Sequence, residues 1–463
     1  MTTSSKDLLE PSRAERPLDP TAVRKLADRT SGAVTMRDHE DYPALVSPWN
    51  LAVPVAPAAV VAARTAQDVV AAVRFAGEHE LLVTPQATGH GPMEELIGEL
   101  LVTTKGLDEC TVHPEGWARV GAGVKWLRVV EAAAPHGLAP LSGSITDVGV
   151  VGYTTGGGVG PMARTHGLAS DRVRAFEVVT GDGVLRRATP TEHPELYFGL
   201  RGGKGSLGIV TAVEFDLVHQ PSFYGGSLWF DGADAEAVVE AWRAWSAELP
   251  ELGTTSFALF RLPAMPAVPP PLAERFTVSI RYVWTGDAAE GERRFAAMRA
   301  VAPIILDAVE EKPYTAIDSV HTDPLDPMPV TEAAEVLTDF PAEALAALLD
   351  VAGPGVDSPQ FLVELRQLGG AFARSGAHDC AFSSRDAAYS LLVVGLEDPA
   401  VREDAATILA ALSPWAGGHR LPNFTYEPGA LRNAFDPTAL ARLRSAMRTY
   451  DADGVMAIGH ALR

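Results

Sequence analysis

The hydrophobic pattern first becomes regular between residues 58 and 86, after a polar and charged beginning. The apolar run "AAVVAAR" (58–64) fits a buried strand, and "LLVTP" (81–85) fits a second one. Between them the apolar positions recur at helical spacing, and Thr65 is placed to cap the helix start. The pattern predicts a β–α–β unit whose second strand leads directly into the loop "QATGHG" (86–91).

The pattern continues as short elements up to about residue 220. Strands are predicted at 99–104 and 117–124, and Trp126 begins an apolar helical stripe that a proline and a glycine end. Asp182-Gly183 is typical of the turn of a β-hairpin. A glycine-rich loop at 202–208 then leads into another strand.

The hydrophobic pattern changes in the second half of the chain. "AEAVVEAWRAW" (235–245) predicts an amphipathic helix, while "TSFALFRL" (255–262), "RFTVSIRYVW" (275–284) and "FLVELRQLGG" (361–370) alternate as antiparallel strands do. Near the end, Asp436 precedes a proline and a further amphipathic helix, which is the order of a capped helix start.

These patterns predict an α+β protein with more than one core, as its 463 residues also suggest. We expect residues 1–40 to be polar and loosely packed. The expected segments are 1–40, a first domain at 41–220, a second domain at 221–413 and a C-terminal segment at 414–463.

Composition and charge narrow the classes of partner. The 38 basic and 59 acidic residues give a net charge of −21, which disfavours nucleic acid and anionic membranes as partners. Two cysteines cannot build a disulfide framework, and the first 20 residues lack the apolar core of a signal peptide, so a cytoplasmic protein is expected. The histidines are scattered without metal-site spacing, and no metal is expected.

Two nucleotide-binding motifs are matched only in part. "GVGPMA" places Gly158, Gly160 and Ala163 as in a dinucleotide fingerprint, but the residues before it do not read as a strand. Gly203-Lys204 is similar to a P-loop, but Gly205 stands where that motif needs serine or threonine. An NAD-dependent dehydrogenase therefore stays an alternative.

Three glycine-rich loops remain, each at a strand end. We call residues 86–91 the first glycine loop, 149–160 the middle glycine loop and 202–208 the third glycine loop. Glycine lets backbone N–H groups converge on an anion. Three such loops favour a long ligand with a pyrophosphate and a flat ring, although tight corners of a compact domain would also need glycine.

Residues 54–218 resemble the FAD domain of the vanillyl-alcohol oxidase superfamily, the p-cresol methylhydroxylase type. Its berberine bridge enzyme-like branch is the most similar, especially bacterial enzymes of the 6-hydroxy-D-nicotine oxidase type. The ordered motifs "TGHG", "VGVVGYTTGGGVG", "EVVTGDG" and "LRGGKGSLGIVTAVEFDL" carry the resemblance. It implies a two-subdomain FAD-binding domain, a substrate domain with a large antiparallel sheet backed by helices, and a tail that folds back on the flavin.

The resemblance also implies cofactor contacts. His90 would bond covalently to the 8α-methyl carbon of the flavin, while Ile145 stands where some relatives have the cysteine of a second bond. Gln86 replaces a common arginine, and Pro92 replaces a tyrosine of plant members. The other implied cofactor contacts are Ala87, Thr88, Gly89, Gly91, Ser142, Gly143, Thr146, Val148, Gly149, Gly152, Tyr153, Gly156, Gly157, Gly208, Ile209, Val210, Asn423 and Phe424.

The implied reaction is dehydrogenation of a small molecule, with hydride passing from a CH–OH or CH–NH carbon to FAD while a base takes the proton. Glu364, Arg366 and Gln367 on one predicted strand, and Tyr426 in the tail, are the catalytic candidates, with Tyr426 or Glu364 as the base. Val148 holds the place that tunes oxygen access in relatives, which implies reoxidation by O2. The substrate and the oligomeric state stay open, with a homo-oligomer possible, and a catalytically inert flavin-fold protein is the further alternative.

Overall fold

The computed structural model describes residues 18–91, 96–266, 268–425 and 428–463. Among these residues the strands are β1 (Val34–Met36), β2 (Val55–Ala56), β3 (Ala59–Ala62), β4 (Val83–Gln86), β5 (Leu96–Ile97), β6 (Leu100–Thr103), β7 (Cys110–His113), β8 (Trp117–Gly121), β9 (Leu138–Ala139), β10 (Val173–Thr180), β11 (Leu185–Ala188), β12 (Gly208–Asp216), β13 (Val218–His219), β14 (Ser222–Asp231), β15 (Gly253–Leu262), β16 (Arg275–Trp284), β17 (Ile304–Asp307), β18 (Glu310–Pro313), β19 (Val330–Leu337), β20 (Gln360–Gln367) and β21 (Tyr389–Leu396).

The α-helices of the described residues follow the same order. They are α1 (Pro20–Ala27), α2 (Tyr42–Val46), α3 (Ala66–Glu78), α4 (Trp126–Ala133), α5 (Val150–Thr155), α6 (Ala163–His166), α7 (Pro194–Leu200), α8 (Ala235–Ala247), α9 (Ala288–Arg299), α10 (Ala342–Ala352), α11 (Pro399–Leu412), α12 (Pro437–Tyr450) and α13 (Ala457–His460). In the part of the chain that the structure describes, none of these helices has the length and apolar character needed to cross a membrane.

The predicted β–α–β unit forms the first sheet, which has the strand order β1-β3-β6-β4. Strands β3 and β4 both pair in parallel with β6, which lies between them. Helix α3 begins as predicted, because the Thr65 hydroxyl accepts from the Asp68 N–H while the Asp68 carboxylate accepts from the Thr65 N–H. Strand β4 therefore delivers the first glycine loop to the edge of this sheet.

The second sheet is antiparallel, in the order β11-β10-β12-β8-β7. The hairpin of β10 and β11 turns at Asp182 and Gly183 as expected, with Gly183 at a φ of +68° that glycine adopts easily. Helix α4 buries Trp126 and Val129 against this sheet. The middle glycine loop precedes β10 and the third glycine loop leads into β12, so all three loops belong to the N-terminal half.

The expectation of a loosely packed N-terminus is wrong for residues 20–36. Helix α1 buries Val23 and Leu26 in the core of the first sheet. Strand β1 then pairs antiparallel with β3. The high content of polar residues made this short amphipathic helix hard to predict, because its two buried side chains are Val23 and Leu26.

The second half contains a large antiparallel sheet with the order β17-β14-β16-β15-β20-β21-β19, and β18 also pairs with β14. Helices α8 and α10 pack on one face, where Trp242 and Phe257 are fully buried. The alternation read from the sequence is thus the alternation between a helix-covered face and an opposite face turned towards the first half.

The C-terminal segment returns to the N-terminal half. Helix α12 begins at the Asp436 cap and buries Leu443 and Met447, while Leu440 is only partly buried. Beyond it, the Val83 N–H donates to the Val455 carbonyl at 2.9 Å, which joins the tail to β4. The tail therefore closes over the sheet that carries the first glycine loop.

Candidate functional site

A cavity of about 400 Å³, here the central cavity, lies between the glycine loops and the open face of the large sheet. One wall consists of backbone from the three glycine loops and helix α5. The other wall consists of side chains from β19, β20 and β21, and the tail residues Asn423 and Phe424 also line it. Segments that are far apart in the sequence therefore converge on one space.

The first glycine loop is held tightly against residues 48–50. The Trp49 and Asn50 N–H groups donate to the Thr88 and Gly89 carbonyls at 2.9 and 3.1 Å. Gly89 has a φ of +74°, and a Cβ there would lie 2.6 Å from the Pro48 side chain, so this corner needs glycine. The loop residues from Gln86 to Gly91, including Ala87, all line the central cavity.

His90 is the chemically distinctive residue of this loop. Its ring stacks on Trp49 with centroids 4.5 Å apart, and its Nε2 atom is buried without a hydrogen-bond partner among the described residues. Burial lowers the pKa of His90 to about 4, a shift that nearby Asp147 only partly opposes. The imidazole is therefore neutral at physiological pH and presents an unused nitrogen lone pair or N–H.

Part of the middle glycine loop also faces the central cavity. The predicted contacts Val148, Gly149, Gly152 and Tyr153 line it, together with Gly143 shortly before the loop. Gly152 lies in α5, and a Cβ added there would meet nothing within 4 Å. The space beside Gly152 is therefore open to a ligand.

Other predicted contacts are used for packing. Thr146 donates from its N–H and hydroxyl to the Asp318 carboxylate, at 2.9 and 2.5 Å, and Ser142 hydrogen-bonds with Tyr314 at 3.1 Å. The remaining three are Gly156 against Asn423, Gly157 against Phe382, and Ile209 in the core of the first sheet. None of these five residues lines the central cavity of the described structure.

The third glycine loop contributes Gly208 and Val210, as predicted, and also Lys204, which the sequence analysis did not assign to the site. The Lys204 ammonium donates to the Asn423 side-chain oxygen at 2.9 Å, and the Asn423 amide donates to the Tyr153 carbonyl at 2.8 Å. Burial lowers the pKa of Lys204 to about 8, with Glu332 partly opposing the shift. A cation thus lies where the three loops meet the tail.

The sheet wall places Glu364 and Arg366 on the cavity face of β20, as the alternation predicted. The Glu364 carboxylate contacts Arg281 at 2.8 Å, Arg366 at 3.1 Å and the Ser256 hydroxyl at 2.7 Å. Burial alone would raise the pKa of Glu364, but Arg366 and Arg281 outweigh burial and hold the pKa well below its usual value. Glu364 is therefore a saturated carboxylate and a poor proton acceptor.

Two catalytic candidates lie elsewhere. Gln367 points to the opposite face of the sheet, where its amide donates to the Ser246 carbonyl of α8 at 2.7 Å. It therefore contributes to packing of the sheet rather than to the central cavity. Tyr426 lies outside the described residues.

The sequence analysis missed Trp49, Arg281, His321 and Glu332 as well as Lys204. Trp49 and Glu332 line the central cavity, while Arg281 and His321 surround Glu364. Lys204 had a local signal in the sequence, since it interrupts a run of glycines. The structure gives it a φ of +58°, which residues with a side chain rarely adopt. The others carry no local signal because strand pairing brings Arg281 and Glu332 to the site, while loop packing brings Trp49 and His321.

The partial dinucleotide fingerprint does not form the unit that NAD binding requires. Gly158 and Gly160 follow helix α5 instead of a strand, and the helix after them, α6, has only four residues. A Cβ at Gly160 would lie 2.1 Å from the Ser142 carbonyl oxygen, so this glycine is needed for close packing.

Comparison with known families gives a match over residues 57–189, to the FAD binding domain family FAD_binding_4. The FAD-linked oxidoreductase sorD of Penicillium rubens is 32% identical over 225 residues. This alignment covers 47% of the chain and 48% of that relative, so the chain spans about half the length of the curated relative.

Solved structures are similar over nearly the whole chain. Physcomitrella patens BBE-like 1 has a TM-score of 0.83 at 17% identity, covering 95% of this chain and 99% of that chain. For 6-hydroxy-D-nicotine oxidase of Arthrobacter nicotinovorans the TM-score is 0.77 at 22% identity, covering 93% and 97%. Glucooligosaccharide oxidase of Acremonium strictum, with a 6-S-cysteinyl, 8α-N1-histidyl FAD, has a TM-score of 0.79 at 18% identity, covering 95% and 98%.

These likenesses are to plant, bacterial and fungal proteins, so the bacterial origin that the resemblance implied stays a prediction. At such identities the structures establish the fold alone. The expected α+β class, with an FAD-binding domain and a large antiparallel sheet, is confirmed. Residues 57–189 match an FAD binding domain, and the chain as a whole has the fold of the berberine bridge enzyme-like proteins.

Proposed function

We propose that this chain is an FAD-dependent oxidoreductase of the oxidase type, with FAD bonded covalently to His90. The observation that carries the proposal is the neutral His90 imidazole on the wall of the central cavity, whose buried Nε2 atom has no hydrogen-bond partner among the residues that the structure describes. A buried polar atom without a partner is uncommon in proteins and points to a ligand that completes it.

The other residues of the backbone wall fit the same cofactor. Gly152 and Gly205 line the central cavity and leave open space where side chains would project. Lys204 provides one cation in a wall where Gln86 stands in the place of an arginine, and its ammonium lies close to Gly91. A dinucleotide with a flat ring and two phosphates matches backbone cradles, a cation and a neutral imidazole. The name of the glucooligosaccharide oxidase structure, which states a histidyl–FAD bond, supports the covalent attachment.

When bound, FAD supplies the acceptor for a hydride from a CH–OH or CH–NH carbon of a small molecule, with O2 as the final oxidant and H2O2 as the product. The chain's own residues position that substrate. Glu364 holds Arg366 at the cavity face, and Arg366 also donates to the Ser144 hydroxyl at 3.0 Å, which links the two walls. Because Glu364 stays ionised and paired, we assign it to positioning. Tyr426 keeps the role of candidate base as a prediction.

The test is the fate of flavin on acid precipitation of the purified protein. In the wild type, yellow flavin should stay in the washed pellet, since a covalent bond survives denaturation. His90→Ala should release all of its flavin to the supernatant, because no other imidazole takes its place. His136→Ala, which removes an exposed histidine, is the matched control and should retain the wild-type behaviour.

The outcomes separate the alternatives. Wild-type protein that releases its flavin into acid has no covalent bond, and protein purified without any flavin is not a flavoprotein. An NAD-dependent dehydrogenase would be colourless and would reduce NAD with substrate. An inert binding protein would hold flavin and yet produce no peroxide with any member of a panel of alcohols and amines.

A further inference from the structure

Four ionisable side chains form a buried cluster on the cavity face of the large sheet. Glu364 lies between Arg281 and Arg366, and His321 Nε2 is 3.4 Å from the Glu364 carboxylate. All four side chains are at most 7% exposed. We call this group, with its four residues, the guanidinium cluster.

The guanidinium cluster has an excess of positive charge. Two arginines carry one charge each, and the Glu364 carboxylate offsets one of them. His321 is neutral, because burial and the two arginines lower its pKa. One positive charge is therefore left without an anion inside the cluster. An unbalanced buried charge is costly unless a ligand balances it.

Arg366 is the cationic member of the guanidinium cluster on the cavity wall, beside Glu364. It lines the central cavity, its Nη1 atom is buried, and Nη1 has no hydrogen-bond partner among the described residues. Its other terminal nitrogen, Nη2, donates to Glu364 and Ser144. The structure thus leaves one guanidinium nitrogen for an acceptor that the described residues do not supply.

The surroundings of β20 change from apolar to polar along the strand. Leu362 pairs with Phe260 and Val394 on the neighbouring strands. Four residues further on, the neighbours of Arg366 are Ser256 and Ser390. A ligand along this face would therefore have an apolar body and its acidic group at the Arg366 end.

From this placement we infer that the substrate of the proposed oxidase is a mainly apolar compound with an acidic oxygen, a carboxylate, enolate or phenolate, which binds Arg366. This inference rests on the proposed function.

The test uses a matched pair of probes on the purified flavin-loaded protein. Sodium benzoate and benzamide have nearly the same shape and differ in charge, and binding is followed by the change in the flavin absorption spectrum. Benzoate should bind about 10- to 100-fold more tightly than benzamide, the range expected for a charge-assisted hydrogen bond. Arg366→Met should abolish this preference, and Arg366→Lys should retain part of it because the positive charge remains.

Two further measurements keep the test decisive. Arg374→Met removes an exposed arginine paired with Glu251 and should leave the preference unchanged. Flavin content and thermal stability, measured for each variant, separate unfolding from loss of the anion site. Equal binding of both probes, no benzoate binding up to its solubility limit, or an unchanged preference in Arg366→Met would each overturn the inference. Absence of flavin from the wild type would instead overturn the proposed function.

Discussion

The two walls of the central cavity differ in whether their ionisable side chains are shifted towards the neutral or the charged form. In the backbone wall, His90 and Lys204 stand nearly alone, and burial shifts the pKa of each towards its neutral form. In the sheet wall, burial raises the pKa of Glu364 more than any single neighbour lowers it. Arg366 and Arg281 together outweigh burial and keep the carboxylate ionised. Loss of hydration decides the pKa shift where a group has few charged partners, and the charges of neighbouring groups decide it where those groups are close.

This difference teaches how the two walls are specialised. A wall of glycine loops offers space and backbone dipoles, which suits a cofactor of fixed shape. A wall of strand side chains offers a pattern that a few substitutions can change, which suits a substrate. The backbone wall thus suits a cofactor, and the sheet wall suits a substrate.

Gly152→Leu is expected to have the largest effect on flavin content, because it places a side chain in the open space of the backbone wall. Overpacking of about 1–3 kcal/mol corresponds to roughly 10- to 100-fold weaker cofactor binding. Flavin per chain, measured after purification, should fall accordingly while the protein stays folded.

The control for this change is Gly418→Leu, where an added Cβ also meets nothing within 4 Å but the residue lies outside the central cavity. It should load flavin normally. A normal flavin content in Gly152→Leu would mean that the cofactor does not occupy the space beside α5.

Glu364→Gln tests the sheet wall. It keeps the shape of the side chain but leaves two buried guanidinium groups without a counter-charge, and about 3–5 kcal/mol of unfolding free energy should be lost. Urea unfolding of the variant and the wild type gives the difference. Glu251→Gln, which breaks an exposed pair with Arg374, should cost much less, because solvent screens the charges of an exposed pair. Equal costs for the two variants would show that burial gives the cluster no special role.

Lys204→Met addresses the half-buried lysine and should have a smaller effect on stability than Glu364→Gln. Since the pKa of Lys204 falls from 10.5 to about 8, the unfolded chain holds a proton between these pH values that the folded chain has released. Wild-type stability relative to the variant should therefore rise with pH across this window. The expected rise is roughly 2 kcal/mol, less than full linkage because the side chain is partly exposed.

Lys204→Arg provides the comparison for this measurement, because an arginine stays charged throughout the window. Its stability difference from Lys204→Met should not vary between pH 8 and 10.5. A flat wild-type curve over the same range would place Lys204 in contact with water, outside the influence of the backbone wall.

Much of the fold could be predicted from local patterns. The capping residues Thr65 and Asp436, the turn at Gly183 and the alternation in β20 all appear in the structure as expected. Each depends on neighbours within a few positions, where backbone geometry and side-chain chemistry act together. The N-terminal helix α1 was missed because its apolar stripe has only two buried side chains.

The site was predictable to the extent that it is made of glycine loops. His90 and the rest of its loop line the central cavity, whereas Ser142, Thr146 and Ile209 serve packing. A motif gives the neighbourhood of a residue without telling which way its side chain points. Direction depends on contacts with segments such as Tyr314 and Asp318, more than 170 positions away.

The sequence by itself determined the elements, the three glycine loops and the histidine that one of them carries, because short-range sterics and hydrogen bonds decide these features. Only the tertiary structure decided that Arg281 and His321 would enclose Glu364, and that Lys204 would meet Asn423. Electrostatic interactions depend on distance in space, and strand pairing brings together charges that no spacing along the chain connects.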